Sequence, residues 1–161
     1  MRASGHKVLI FSSFVKHLRL LSDRFDLEGW NYAMLTGQTS NREAEINKFN
    51  QNSDVNCFFI TLKAGGLGLN LTAADYVIHL DPWWNPAVED QASDRAHRIG
   101  QQRPVTIYRL VAENTIEEKI IQLHSQKRDL AEQLLEGSDV AARLSVREMV
   151  ELIRATCNLP E

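Results

Sequence analysis

At 161 residues, 43% of them hydrophobic, the chain is long enough to bury a genuine core and short enough to be one globular domain with a small appendage. Its formal net charge of -3 excludes a protein that coats nucleic acid by bulk charge. No apolar run approaches the roughly 18 to 20 residues needed to span a bilayer, and the opening MRASGHKVLIF lacks the shape of a signal peptide, so a cytosolic chain without a membrane partner is expected.

Lys7 to Phe11 (KVLIF) reads as a short buried strand. Val15, Leu18, Leu21 and Phe25 then recur at helical spacing until Gly29 stops the helix. Trp30 to Leu35 supplies a second strand, and Ser40-x-x-Glu43 has the form of a capping box opening a helix whose apolar face includes Ile46 and Phe49. Val55 to Thr61 (VNCFFIT) and Tyr76 to Leu80 (YVIHL) read as further buried strands, the first followed by a glycine-rich turn and the second by Asp81. Asn85-Pro86 forms an N-cap with proline at the first helical position. Glu89 and Asp90 suit the positive end of that helix dipole, and Gly100 is the expected stop.

Val105 to Val111 (VTIYRLV) alternates as a strand does, and Thr115-x-x-Glu118 is another capping box. From it a long helix is predicted to Glu136, with Ile116, Ile120, Leu123, Leu130 and Leu134 on one stripe and Gly137 as C-cap. The stripe is interrupted at Lys127, so packing back onto the domain is expected rather than a coiled coil, and the protein is expected to be a monomer. Ser145-x-x-Glu148 begins a short final helix in a tail of net negative charge.

Strands separated by helical connections imply an α/β domain of three layers, its mostly parallel sheet covered on both faces. Ligands in such folds bind at the carboxyl ends of the strands, where the polar and glycine-rich motifs fall. The expected divisions are residues 1–136 for the lobe with its long helix and 137–161 for an acidic helical tail. Through Val111 there are 12 Lys/Arg and 11 Asp/Glu, and from Ala112 onward 6 and 10. Any nucleic-acid contact is therefore a local patch in the first part.

Asp90 to Gln101 (DQASDRAHRIGQ) carries the strongest chemistry. Gln91, Arg95 and Arg98 fall at i, i+4 and i+7, on one face of a helix that runs through them. Two guanidiniums on one rigid face suit a polyphosphate whose charge shifts during reaction. The bland alternative is a surface pair bonded to Asp90, Asp94 or the helix itself. After Thr61, the glycines at 65, 66 and 68 let main-chain N–H groups approach a phosphate, or serve only a tight strand-to-helix turn. A rival reading takes Gly66-x-Gly68 as a dinucleotide fingerprint, but its third glycine position is Leu71. His97 reads as a packing or inter-lobe residue and His79 as a strand residue near the ligand side, while His6, His17 and His124 carry no signal. Cys57 and Cys157 have no second cysteine at metal-ligand spacing, so reduced thiols and no metal site are expected.

KVLIFSSF (7–14), LTGQTS (35–40), TLKAGGLGLNLT (61–72), ADYVIHLDPWWNP (74–86) and DQASDRAHRIGQ (90–101) resemble, in order, motifs of the second RecA-like lobe of Swi/Snf-related ATPases. These belong to helicase superfamily two and act as DNA translocases and chromatin-remodeller motors. The resemblance covers about residues 7 to 136 and implies a RecA-like fold, related to the P-loop NTPases, with a C-terminal helical extension that braces two lobes. It implies that ATP sits between the lobes, with Arg95 and Arg98 reaching its γ-phosphate, Arg98 matching the family's arginine finger and Gln91 positioning the attacking water or the phosphate. By the same resemblance the backbone at Gly66 and Gly68 lies near the nucleotide. Ser12, Ser13, Thr36, Gly37, Gln38, Lys63 and Asn70 lie on loops facing the backbone of duplex DNA, where they contact phosphate without reading bases. Trp84 matches the tryptophan of the family's Trp-Asn-Pro and would pack against sugar or base edges; Trp83 and Trp84 are also readable as core or inter-lobe packing. The family commonly has glycine where this chain has Asp94.

No G-x-x-x-x-G-K-[ST] occurs, and no Asp-Glu pair follows a strand where it would hold magnesium. The resemblance therefore implies ATP and Mg2+ only in a complete two-lobe enzyme, with Mg2+ held by a first lobe of the same polypeptide. Such an enzyme is expected in the nucleus of a eukaryote, or in the cytoplasm with the nucleoid in a bacterium. The alternative is a stand-alone module that keeps the lobe's fold to dock protein or nucleic acid and has no ATPase activity. Two intact arginines favour the motor lobe.

Overall fold

All five residues of Val8–Ser12 are buried, as a strand must be when it carries a helical layer on each face. In the computed structural model, which describes residues 5–65, 69, 71–96 and 103–135, this segment is β1 of a parallel sheet. The others are β2 (Tyr32–Leu35), β3 (Cys57–Thr61), β4 (Tyr76–His79) and β5 (Thr106–Arg109), in spatial order β2-β3-β1-β4-β5. The register aligns Ser12 with Thr61 across β1 and β3, and Phe11 with His79 across β1 and β4. Because all pairings are parallel, every carboxyl end lies along one edge. The chain runs from β1 outward to β2 and back through β3, then crosses to the other side of β1 for β4 and β5. Its order thus reverses at β1, the place where such sheets form a ligand crevice.

Alternation along β1 separates two cores. Leu9 and Phe11 pack with Phe58, Ile60, Phe49 of α2 (Arg42–Gln51) and Ala92 of α4 (Pro86–Ser93). Val8 and Ile10 face the other way with Phe59 and Leu18 of α1 (Val15–Leu27), joined by the partly buried Leu21 and Phe25. Burying each such side chain contributes about 1.5 to 3 kcal/mol. The three layers are helix, sheet and helix, as expected. A four-residue helical turn, α3 (Leu62–Gly65), follows β3.

Several boundaries differ from expectation for identifiable reasons. Trp30 belongs to the cap of α1 and not to β2. Its N–H donates to Phe25 O at 2.8 Å and that of Gly29, at φ 63°, to Asp26 O at 3.1 Å, while the Trp30 and Phe25 rings meet edge-on at 5.1 Å. This is a Schellman motif with its hydrophobic contact. The N-cap of α2 is Asn41, whose side chain accepts the Ala44 N–H at 3.0 Å, so the Ser40-x-x-Glu43 box is off by one residue. β5 lies at the sheet edge with Ile107 and Tyr108 exposed.

The chain divides into two units, Met1–Leu110 and Val111–Glu161. In the second, α5 (Ile116–Leu135) opens at Thr115, whose Oγ1 accepts the Glu117 N–H at 3.2 Å. Glu117, not Glu118, returns a carboxylate, to the Ala112 N–H at 2.8 Å. Gly137 and the Ser145 helix fall outside the described residues.

Candidate functional site

The carboxyl edge collects the expected polar residues, but in two distinct roles. Ser12 is fully buried: its hydroxyl bonds to Asp81 Oδ2 and accepts the Phe14 N–H at 3.0 Å. Asp81, itself buried, also accepts the Ser13 N–H at 2.8 Å and lies 3.4 Å from His17 Nδ1. One carboxylate after β4 thereby shapes the loop after β1, across the point where the sheet order reverses. Thr36 is buried as well, its N–H donating to Thr39 Oγ1 at 2.9 Å and its Oγ1 accepting the Gln38 N–H at 3.2 Å. Ser12 and Thr36, expected on loops facing duplex DNA, are instead buried and form the inner walls of their turns. Gly37, Gln38, Lys63 and Trp84 are exposed on the same side. At Gly37 a Cβ would meet nothing within 4 Å.

α4 is shorter than the sequence implies. It ends at Ser93, and residues 94–96 form a tight turn in which the Arg95 N–H donates to Ala92 O at 3.2 Å and the Ala96 N–H to Ser93 O at 3.0 Å. The Arg95 carbonyl accepts the Leu71 N–H at 3.2 Å, a bond to the segment after β3. Ala92 and Ala96 are drawn into the core. Gln91 and Arg95 therefore do not share one exposed helical face: Gln91 is exposed, whereas Arg95 is 5% exposed. Its Nε is buried and has no hydrogen-bond partner among the described residues. A guanidinium N–H in that state is costly unless something accepts from it, and an anion reaching it would do so. Gly66, Gly68, Asn70, His97 and Arg98 lie outside the described residues.

A second buried carboxylate holds α4 in place. Glu89 is fully buried; Oε1 accepts the Trp83 N–H at 2.6 Å and Oε2 accepts from Arg109 Nε at 2.8 Å. Arg109, at the end of β5, also donates to Asp90 at 3.1 Å. Beside this network, His79 is buried, shares a 2.9 Å hydrogen bond with Ser93 and stacks on Phe11 at 5.4 Å. Burial pushes its imidazole below the ordinary histidine range. Trp83 packs against the main core and Trp84 is 48% exposed.

Three residues of this lattice carried no functional reading in the sequence. Asp81 was visible only as a carboxylate ending an apolar run, and Glu89 only as a dipole partner. His17 gave no signal, because its partner is 64 residues away. At the opposite edge, His6, Arg103 and the Lys7 N–H converge on buried Asp75. Burial alone would raise the Asp75 carboxyl, but the His6 and Lys7 hydrogen bonds and the His6 charge bring it below its usual range.

The family profile for the helicase conserved C-terminal domain matches residues 1–100. An uncharacterized ATP-dependent helicase of Schizosaccharomyces pombe is 47% identical over 147 residues, covering 89% of this chain and 14% of its own length. The lymphoid-specific helicase of Homo sapiens is 40% identical over 167 residues, covering 96% of this chain and 20% of its own. The crystal structure of the C-terminal part of the Fun30 ATPase domain superposes with a TM-score of 0.71 at 41% identity, covering 75% of this chain and 40% of that one. The chain thus spans 14% and 20% of the two curated relatives.

Proposed function

The chain belongs to the helicase conserved C-terminal domain family, in its Swi/Snf-related branch, and from that premise we propose that it is the second motor lobe of an ATP-dependent double-stranded DNA translocase or remodeller. Its fold is RecA-like. In this reading the lobe supplies arginines and DNA-backbone contacts to an ATP site completed by a first lobe, which brings the Walker lysine and the carboxylates for Mg2+.

The observation that carries the reading is Arg95, a buried arginine just past the end of α4 whose Nε lacks an acceptor within the described fold. Arg98 follows it by three residues, and together they would hold the γ-phosphate, with Gln91 positioning the attacking water. ATP supplies a polyphosphate whose charge migrates toward the leaving oxygens. The guanidiniums counter that charge, an effect worth about 10³ to 10⁵ in rate for an arginine finger. Lys63, Gln38 and the turn at Gly37 would contact phosphates of the duplex, and Trp84 its sugar or base edges. Such contacts are sequence-tolerant and salt-dependent.

The test is ATP turnover by the two-lobe enzyme across a DNA titration. Arg98→Ala abolishes turnover with the fold intact, and Lys63→Ala and Trp84→Ala raise the DNA concentration needed for half-maximal stimulation. Near-normal turnover in Arg98→Ala removes the finger assignment. A wild-type enzyme without turnover favours the docking module instead.

A further inference from the structure

Glu89 is more than a helix-dipole partner. An acid serving only the first turn of a helix works from the surface, yet this one is fully buried with both oxygens committed. Oε1 takes the main-chain N–H of Trp83, the residue before exposed Trp84, and Oε2 takes Arg109 at the end of β5. Glu89 itself stands in α4, two residues before Gln91 and six before Arg95. Arg109 extends the clamp to Asp90, also in α4. One carboxylate therefore fastens the β4–α4 loop, α4 and β5 to each other. A buried ion pair of this kind is weak evidence for stability and has its best use in fixing geometry.

We propose that Glu89 is a positioning residue that makes the Trp84 loop and the Gln91–Arg95 segment move as one body, so that duplex contact at the loop sets the arginine against the nucleotide. The inference rests on the motor-lobe reading above. Glu89 acts through the Trp83 main chain and α4 and touches neither ligand.

The experiment follows ATP turnover of the full two-lobe enzyme against duplex concentration. Glu89→Gln keeps an acceptor for the Trp83 N–H but leaves Arg109 without its buried counter-charge. It lowers the stimulation by saturating DNA about tenfold, within the usual range of coupling between sites, while turnover without DNA stays within about twofold of wild type. The melting temperature and duplex affinity stay close to wild type. Pairing it with Arg109→Gln restores charge balance and recovers part of the stimulation, which also keeps the test available if Glu89→Gln alone fails to fold. Wild-type stimulation in Glu89→Gln overturns the positioning role. So does a parallel loss of folding, DNA-free turnover and stimulation in both variants, which would make the clamp merely structural. Absence of turnover in the wild type instead overturns the motor-lobe reading beneath it.

Discussion

Replacing Asp81 by alanine removes the carboxylate that organises the loop after β1, and its cost follows from the three groups that face it. The Ser13 N–H, at 2.8 Å, would lose this acceptor and be left orphaned beside a cavity. A hydrogen bond to a charged acceptor contributes about 1.5 to 3 kcal/mol, and an abandoned buried donor costs about 1 to 3 kcal/mol. The Ser12 hydroxyl can turn instead to Phe14 O, 3.2 Å away, which offsets much of its loss. His17 is long at 3.4 Å and its side chain is 50% exposed, so it adds only about 0 to 1 kcal/mol. The net expectation for Asp81→Ala is about 2 to 4 kcal/mol, a large share of the roughly 5 to 15 kcal/mol that stabilises a typical domain. Asp81→Asn keeps an oxygen for the Ser13 N–H and costs about 1 kcal/mol. Urea unfolding at constant slope measures both, and amide exchange at Ser13 locates the effect. If the two variants lose the same stability, or if Asp81→Ala loses less than about 0.5 kcal/mol as ordinary surface changes do, the carboxylate does not shape the loop.

The cap of α2 separates two neighbouring polar residues. Asn41→Ala loses about 1 kcal/mol of stability in urea unfolding while Ser40→Ala is nearly neutral, and the reverse order would restore the Ser40 box. His79 governs a pH window. Its folded imidazole titrates below the ordinary value of 6.5, chiefly through burial, with Glu89, Asp81 and Asp90 opposing the shift and Arg109 adding to it. The unfolded chain then binds more protons below that value, so stability is full above it and falls as pH drops toward the folded value, by at most ~1.4 kcal/mol per pH unit. His79→Phe, which keeps the stacking surface, flattens unfolding midpoints measured between about pH 7.5 and 5.5; an unchanged slope assigns the pH dependence to other groups.

The strands were legible because burial on both faces favours apolar residues: VLIF and CFFI are unbroken apolar runs, with a polar residue only at the carboxyl end of each strand. Helix starts were legible to within a residue, since Ser40 and Asn41 satisfy the same spacing rule and only the backbone path decides which side chain meets the Ala44 N–H. The site was less legible, and the reason is distance along the chain. Periodicity reports which residues share a face of one element; it carries nothing about partners 69 or 20 residues away, the separations of Ser12 from Asp81 and of Glu89 from Arg109. The same limit explains α4. Placing Gln91 and Arg95 on one face assumes that the ladder continues, and no local rule forbids it, because Asp94, Arg95 and Ala96 are not helix breakers. At the end of α4 the Arg95 N–H turns to Ala92 O, the Leu71 N–H from the segment after β3 takes the Arg95 carbonyl, and Ala96 enters the core. A tertiary contact thereby overrides the helical period in the segment that bears the arginine. The result is a guanidinium that is buried and does not stand beside Gln91 on an exposed helical face.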